Sequence, residues 1–140
     1  MSGAGKVTKT IISSAQVYAP VGPYSQAVLA NGTLYVSGVL GATPEPKLVA
    51  GGAAAQAKRA LENLKLIVEA GGSSLAGVVK TTILLANFDD FQAVNAVYAE
   101  FFPRNAPARA TYQVSKLPMG AAVEIEAVAL SGQLEIKEGL

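Results

Sequence analysis

Hydrophobic and polar residues follow two different patterns along this chain, and each pattern predicts one type of element. β-branched runs and alternation with period two, which are typical of strands, appear in residues 10–13, Ala27–Ala30 and Thr33–Leu40. Asn31-Gly32 separates the last two of these and is a strong hairpin signal. The same character predicts three further strands later in the chain, in residues 78–86, 105–114 and 121–130.

A helical period replaces the strand period in AAAQAKRALENLKLIVEA, residues 53–70. One face of this helix carries the apolar residues, which are Ala57, Leu61, Leu64 and Val68. Gly71-Gly72 supplies the C-terminal stop. NFDDFQAVNAVYAEFF predicts a second helix, which we expect Asp89 or Asp90 to cap. Its apolar stripe consists of Phe91, Val94, Tyr98, Phe101 and Phe102.

This order of elements predicts an α+β fold with about six strands and two helices. Right-handed crossovers place both helices on one face of the sheet. The strands are apolar on both sides, so we expect the uncovered face to be buried against other subunits, and a site lined by two chains follows. We expect one domain over residues 1–140, with a core of about 8–132 and tails at 1–7 and 133–140.

Composition narrows the chemistry. Of the 140 residues, 51% are hydrophobic and 15% are charged, and the chain contains no histidine and no cysteine. Ordinary zinc sites, cysteine nucleophiles and Ser-His-Asp triads are therefore excluded. Catalysis must use carboxylates, Arg, Lys, Tyr, hydroxyls and backbone groups.

Charge and terminal sequence bear on partners and location. A net charge of +1 does not build the basic field on which nucleic acid binding usually depends. No apolar run approaches the ~18 residues of a membrane span. MSGAGKVTKT lacks the apolar segment of a signal peptide. We expect a cytoplasmic protein, or a plastid or mitochondrial one if a transit peptide was trimmed.

Four polar features interrupt the apolar patterns. Arg109 shares one side of its strand with Thr111, and it is either a bidentate clamp for a carboxylate or phosphate or an edge-strand arginine paired with a surface glutamate. Glu124 and Glu126 share one face of the last strand. Burial and mutual repulsion would push at least one of them toward neutrality, unless they face water or form a subunit salt bridge.

The other two features are an amide and a turn. Asn95 lies within the apolar stripe of the second helix, where it is either a ligand contact or a satisfied buried amide. GPYSQA, residues 22–27, brings Tyr24 next to the first strand of the hairpin. Tyrosines after such turns are commonly packing residues.

Together these stretches resemble the RidA family, also called YjgF/YER057c/UK114. The matching segments are GPYSQA, YVSGVLG, VVKTTILLANFDDFQAVNAVYAEFF, PARATYQV, LPMG and VEIEAVA, from about residue 8 to 132. The resemblance implies a chorismate-mutase-like α+β fold, a homotrimer with an inner barrel, and clefts between subunits. It implies hydrolysis of reactive 2-imino/enamine acids, such as 2-iminobutanoate and 2-iminopropanoate, to 2-keto acids and ammonia, with no metal and no organic cofactor.

The resemblance also implies site residues. Arg109 matches the arginine that holds the substrate carboxylate, and Glu124 matches the glutamate that orients water. The implied substrate-binding residues are Tyr24, Ser37, Asn95 and Thr111, the last at a position where the family often has cysteine. Val39 stands where many members have glutamine, so one amide contact is lost. Alternatives are a ribonuclease or translation inhibitor, disfavoured by the near-neutral charge, and a non-enzymatic ligand binder or chaperone.

Overall fold

Six strands form one mixed sheet in the computed structural model, which describes residues 5–139. Residues 1–4 and Leu140, which belong to the expected tails, lie outside the described residues. The strands are β1 (Thr10–Ile12), β2 (Ala27–Ala30), β3 (Thr33–Leu40), β4 (Val78–Leu85), β5 (Ala108–Gln113) and β6 (Val123–Leu130). Their order across the sheet is β1-β2-β3-β6-β4-β5. Only β4 and β5 pair in parallel among these strands.

Two helices, α1 (Gly52–Ala70) and α2 (Phe91–Phe101), pack on one face of the sheet and against each other. The α+β prediction is confirmed, and so is the buried face of α1. Asp90 occupies the N-cap position of α2, as expected, but its side chain makes no capping hydrogen bond. Asn87 instead accepts a hydrogen bond from the Asp89 backbone N–H at 2.9 Å, and a short 3-10 turn, Phe88–Asp90, precedes α2. No helix within residues 5–139 combines the length and apolar character needed to cross a membrane.

Several strands are shorter than predicted, including β5, which spans Ala108–Gln113 rather than residues 105–114. β1 stops at Ile12, and β4 stops at Leu85. A 3-10 turn, Pro118–Gly120, occupies the approach to β6, which therefore begins at Val123 rather than at residue 121. This 3-10 turn places Pro118 beside the start of β6, where it lines a cleft together with Glu124.

The hydrophobic core lies between the helices and the face of the sheet that they cover. Leu34, Ile83 and Ile125 are fully buried there. The opposite face, called the open face below, carries Tyr35, Lys80, Tyr112, Glu126 and Val128. Tyr35 is 53% exposed and Tyr112 is 52% exposed, so large aromatic surfaces remain uncovered in the single chain.

Buried amides fix the end of β3. The Asn63 side-chain amide, on α1, donates to the Leu40 carbonyl at 3.0 Å and to the Ala42 carbonyl at 2.9 Å. From the other side, the Tyr18 hydroxyl accepts a hydrogen bond from the Leu40 N–H at 2.8 Å. Gln26 binds Ser14 and the Tyr18 carbonyl, and so anchors the segment that carries Tyr18. Helix, strand and loop are therefore joined at one point.

Replacing Asn63 by Ala should lower the free energy of unfolding by about 2–4 kcal/mol, because two buried carbonyls lose their donors. Urea denaturation measures this change. Glu62→Ala, on the exposed side of the same helix turn, is the matched control and should stay within about 0.5 kcal/mol of the parent. Equal stability of the Asn63 variant and the control would contradict the role assigned to the amide.

Candidate active site

Arg109 lies on the edge strand β5, on the side of the sheet that the helices cover. Its guanidinium carbon is 4.8 Å from the ring centre of Tyr98 and 5.8 Å from that of Phe91, both on α2. In the described part of the chain the guanidinium thus meets aromatic faces, not the surface glutamate of the alternative interpretation. A cleft of about 400 Å³, lined by Asn95, Tyr98, Ala99, Phe102, Ala106, Pro107 and Arg109, opens in front of it.

Within residues 5–139, two buried polar side-chain atoms on this side of the sheet have no hydrogen-bond partner. They are the Asn95 carboxamide oxygen and the Thr111 hydroxyl oxygen. Asn95 lines the cleft with Arg109, and Thr111 follows Arg109 on the same face of β5. A buried polar atom without a partner costs about 1–3 kcal/mol. The satisfied-amide interpretation of Asn95 therefore fails for its oxygen, and both atoms have spare hydrogen-bonding capacity for a ligand. We call Arg109, Asn95 and Thr111 the arginine half-site.

A second cleft, of about 380 Å³, forms beside the open face at the end of the sheet. It is lined by Val21, Tyr24, Ser37, Gly38, Pro118, Glu124 and Glu126. The Ser37 hydroxyl donates to the Ser25 carbonyl at 2.6 Å, which holds the GPYSQA loop against β3. The Tyr24 hydroxyl accepts from the Val21 N–H at 3.3 Å. We call Tyr24, Ser37 and Glu124 the glutamate half-site.

A glycine makes room for the Glu124 side chain. The pairing of β3 with β6 shifts between Val36 and Val39, and Ser37-Gly38 occupies this irregularity. A methyl group on Gly38 would lie 2.5 Å from the Glu124 Oε2 atom and 2.6 Å from its carboxyl carbon. Any larger residue at position 38 would displace the carboxyl group.

The environment of Glu124 makes its carboxyl group a weaker acid than an ordinary glutamate. Burial raises the pKa of Glu124, and the carboxylate of Glu126 raises it further. Glu126, two residues along the strand, is exposed, so only Glu124 of the two glutamates is partly buried. The expectation that one of these carboxyls moves toward neutrality is confirmed for Glu124. A carboxyl with a raised pKa is suited to exchanging protons nearer to neutral pH.

The two half-sites lie on opposite faces of the sheet within one chain. Thr81 of β4 pairs with Arg109 of β5, whereas Leu84 of β4 pairs with Glu124 of β6. Directly paired residues share a face, and side chains alternate along a strand. Thr81 and Leu84, an odd number of positions apart, therefore point to opposite faces, and so do Arg109 and Glu124. A second chain is needed to bring them together.

The described residues hold no group of three or more Asp, Glu, His or Cys side chains that could bind a metal ion. The two clefts contain the Arg109 guanidinium, the Glu124 carboxyl group with its raised pKa, hydroxyl groups and the Asn95 amide. These groups suit the binding of a small anion and proton transfer to or from water.

Comparison with known proteins agrees with this fold. A family model described as Endoribonuclease L-PSP matches residues 14–131. The human 2-iminobutanoate/2-iminopropanoate deaminase is 50% identical over 127 residues, or 90% of this chain and 93% of the human protein. A yeast crystal structure has a TM-score of 0.87 at 38% identity, covering 89% of this chain and 100% of the yeast chain.

A further crystal structure, of E. coli TdcF with bound serine, has a TM-score of 0.83 at 33% identity, and covers 88% of this chain and 99% of that chain. Fold and clefts together define a small α+β protein whose available chemistry centres on an arginine and a carboxyl. The chain belongs to the Endoribonuclease L-PSP family, which confirms the resemblance to RidA (YjgF) proteins.

Two residues of these clefts were not identified as site residues from the sequence. The sequence places Tyr98 in the apolar stripe of the second helix and in a segment that matches the family, without a role at the site, although its ring forms the surface under Arg109. Gly38 was part of a matching motif without a role of its own. The signal for Tyr98 was available in its spacing of three from Asn95, since such residues are neighbours on a helix.

Replacing Glu126 by Gln should lower the pKa of Glu124 toward that of an ordinary glutamate, because the repelling charge is removed while burial remains. A ¹³C NMR titration of the Glu124 carboxyl carbon measures this pKa. The wild-type midpoint should lie above the ordinary value, and the E126Q midpoint should lie between the two. An unchanged midpoint in E126Q would show that the two carboxyls do not interact.

Proposed function

We propose that this protein hydrolyses reactive 2-imino or enamine acids, such as 2-iminobutanoate and 2-iminopropanoate, to 2-keto acids and ammonia. The observation that carries the proposal is the arginine half-site. Its guanidinium lies over two rings and lines a cleft together with Asn95, whose carboxamide oxygen has no hydrogen-bond partner. Support comes from the human relative named as such a deaminase and from the serine bound to TdcF, which is an amino acid with a carboxylate.

The assembly that completes this site is a homotrimer. The open face of each sheet would line an inner barrel, which would cover Tyr35 and Tyr112. In a head-to-tail ring each subunit offers a different surface to each neighbour. The arginine half-site of one subunit can then face the glutamate half-site of the next, which satisfies the requirement that Arg109 and Glu124 come from different chains.

Arg109 binds the substrate carboxylate through two parallel N–H···O bonds, which the planar guanidinium favours. This contact fixes C2 of the imino acid relative to the opposite wall of the cleft. Asn95 and Thr111 carry unpartnered oxygen atoms on the same wall. They accept hydrogen bonds from the substrate nitrogen or, for the Thr111 hydroxyl, donate to the carboxylate.

Glu124 acts as the base. It takes a proton from a water molecule whose oxygen attacks C2, while the C=N π electrons move to nitrogen. The protonated Glu124 returns its proton to that nitrogen. Ammonia then leaves with the C–N electron pair as the C2=O bond forms, and the O–H group that attacked C2 gives its proton to Glu124. Tyr24 and Ser37 shape the wall beside the carboxyl. No metal or cofactor is required, because the iminium carbon is already electrophilic.

The ribonuclease alternative remains a second candidate because the matching family model carries that description. A phosphate suits the same guanidinium. The net charge of +1 and an aromatic content of 6% argue against extended contact with single-stranded RNA, which relies on basic grooves and base stacking. Binding of a short single-stranded RNA, followed as a function of salt, separates the two. No binding at low salt would dismiss the ribonuclease.

The proposed cytoplasmic location rests on the sequence and stays a prediction. Imaging of the full-length protein with a C-terminal fluorescent tag would distinguish cytoplasm from plastid or mitochondrion.

A coupled assay tests the activity: a threonine dehydratase generates 2-iminobutanoate, and release of ammonia is followed with and without this protein. Arg109→Ala should lower kcat/KM by roughly 100-fold or more, because two charge-assisted hydrogen bonds are lost. Arg109→Lys, which keeps the charge but not the fork, should fall between this variant and wild type. Unchanged ammonia release by Arg109→Ala, in a protein that still assembles, would refute the assignment.

Mixing two inactive variants tests whether the site is shared between subunits. Arg109→Ala and Glu124→Ala chains, unfolded together and reassembled at equal concentration, should recover about a quarter of wild-type activity, because that fraction of head-to-tail interfaces joins an intact Arg109 to an intact Glu124. Each variant reassembled alone is the control. Light scattering confirms that all samples contain three chains. No recovery in the mixture would place both residues in sites of a single chain.

A further inference from the structure

Tyr98 is joined both to Arg109 and to the strand that pairs with it. Its ring centre lies 4.8 Å from the Arg109 guanidinium carbon, and its hydroxyl oxygen lies 2.7 Å from the Thr81 hydroxyl oxygen. Thr81 is fully buried and is the direct partner of Arg109 in the β4–β5 pairing. Tyr98 is thus connected to Arg109 in two ways: directly through its ring, and through the Thr81 hydroxyl on the strand that pairs with β5.

An arginine on an edge strand ordinarily has great freedom, since its side chain carries about 2 kcal/mol of rotamer entropy. Here the aromatic faces of Phe91 and Tyr98, two turns apart on α2, meet the guanidinium on the helix side. Stacking on a ring leaves the N–H groups at the edge of the guanidinium plane free for a ligand. A carboxylate of the protein itself, bound to the guanidinium, would instead occupy those N–H groups.

The ring of Tyr98 is itself held in place. Its edge packs against Phe102, with ring centres 4.7 Å apart, and only 6% of its surface is exposed. Burial raises the pKa of Tyr98, so the hydroxyl keeps its proton and its bond to Thr81. The orientation of the ring is therefore determined by β4, not by α2 alone.

We infer that Tyr98 is a positioning residue, which presents the Arg109 guanidinium to the carboxylate of the substrate in a fixed plane through the Thr81–Tyr98–Arg109 contacts. The inference rests on the proposed function for its substrate, and it adds a residue to which neither the family match nor the relatives' names assign a role. It predicts an effect on carboxylate binding that exceeds any general effect of destabilising α2.

Four variants isolate the contacts. Tyr98→Leu removes the ring, Tyr98→Phe removes only the hydroxyl, and Thr81→Val removes the partner of that hydroxyl. Val94→Ala is the matched control: Val94 lies on α2, is 1% exposed and is not among the residues that line the Arg109 cleft, so the variant loses core packing. Each is measured for KM and kcat with 2-iminobutanoate, and for inhibition by 2-oxobutanoate.

Tyr98→Leu should raise KM and the inhibition constant of 2-oxobutanoate about tenfold, which is the scale of a partly buried cation–π contact. Tyr98→Phe and Thr81→Val should each raise both constants roughly threefold. Their combination should be no worse than either alone, because both remove the same bond. In all of these kcat should change less than KM, and Val94→Ala should leave KM at the wild-type value.

Equal increases of KM in Val94→Ala and Tyr98→Leu would overturn the inference, since loss of helix packing would then explain both. If wild-type protein hydrolyses no imine, the proposed function fails, and crystal structures of wild type and Tyr98→Leu still decide the inference. An Arg109 guanidinium that occupies the same position without the ring would refute it. A guanidinium that moves off the cleft wall only in the variant would support it.

Discussion

Side chains alternate between the two faces of a sheet, and this rule divides the polar chemistry of the protein in two. Only β4 separates the strand of Arg109 from that of Glu124. The register nevertheless places the two side chains on opposite faces, and no rotamer carries a side chain through a hydrogen-bonded sheet. The proposed association of several copies would explain both the uncovered aromatic surface and the divided site.

The fold was largely predictable because its signals are local. The helical period of residues 53–70 and the Asn31-Gly32 turn depend on neighbours in the sequence, and both correspond to observed elements. Helix and strand ends were less predictable. Asn87, rather than an aspartate, makes the side-chain cap of the 3-10 turn before α2. Pro118–Gly120 forms a 3-10 turn just before residue 121, where the last strand was expected to begin. The alternation of apolar residues indicates which side chains are buried, but it does not determine the residue at which a strand or helix begins or ends.

The candidate site was predictable in its residue types but not in its arrangement. Arg109 and Glu124 stood out because each breaks an apolar pattern. Which face each occupies depends on the register of the parallel pair β4–β5 and the antiparallel pair β4–β6, and register is a property of the folded sheet. The surroundings of Arg109 were hidden for a similar reason: Tyr98 looks like any other core aromatic until Thr81 and Arg109 are placed beside it.

The Glu124 carboxyl group restricts which residue can stand at position 38, far from it in the sequence. A glycine inside a strand normally weakens it, since it adds no packing and has more freedom to lose. Here the missing side chain is the space that the Glu124 carboxyl occupies. The glycine of the Ser37-Gly38 pair on β3 thus marks the place of the Glu124 carboxyl group on β6. In a related chain, a bulky residue at this glycine would indicate that the acid has been lost or has taken another position.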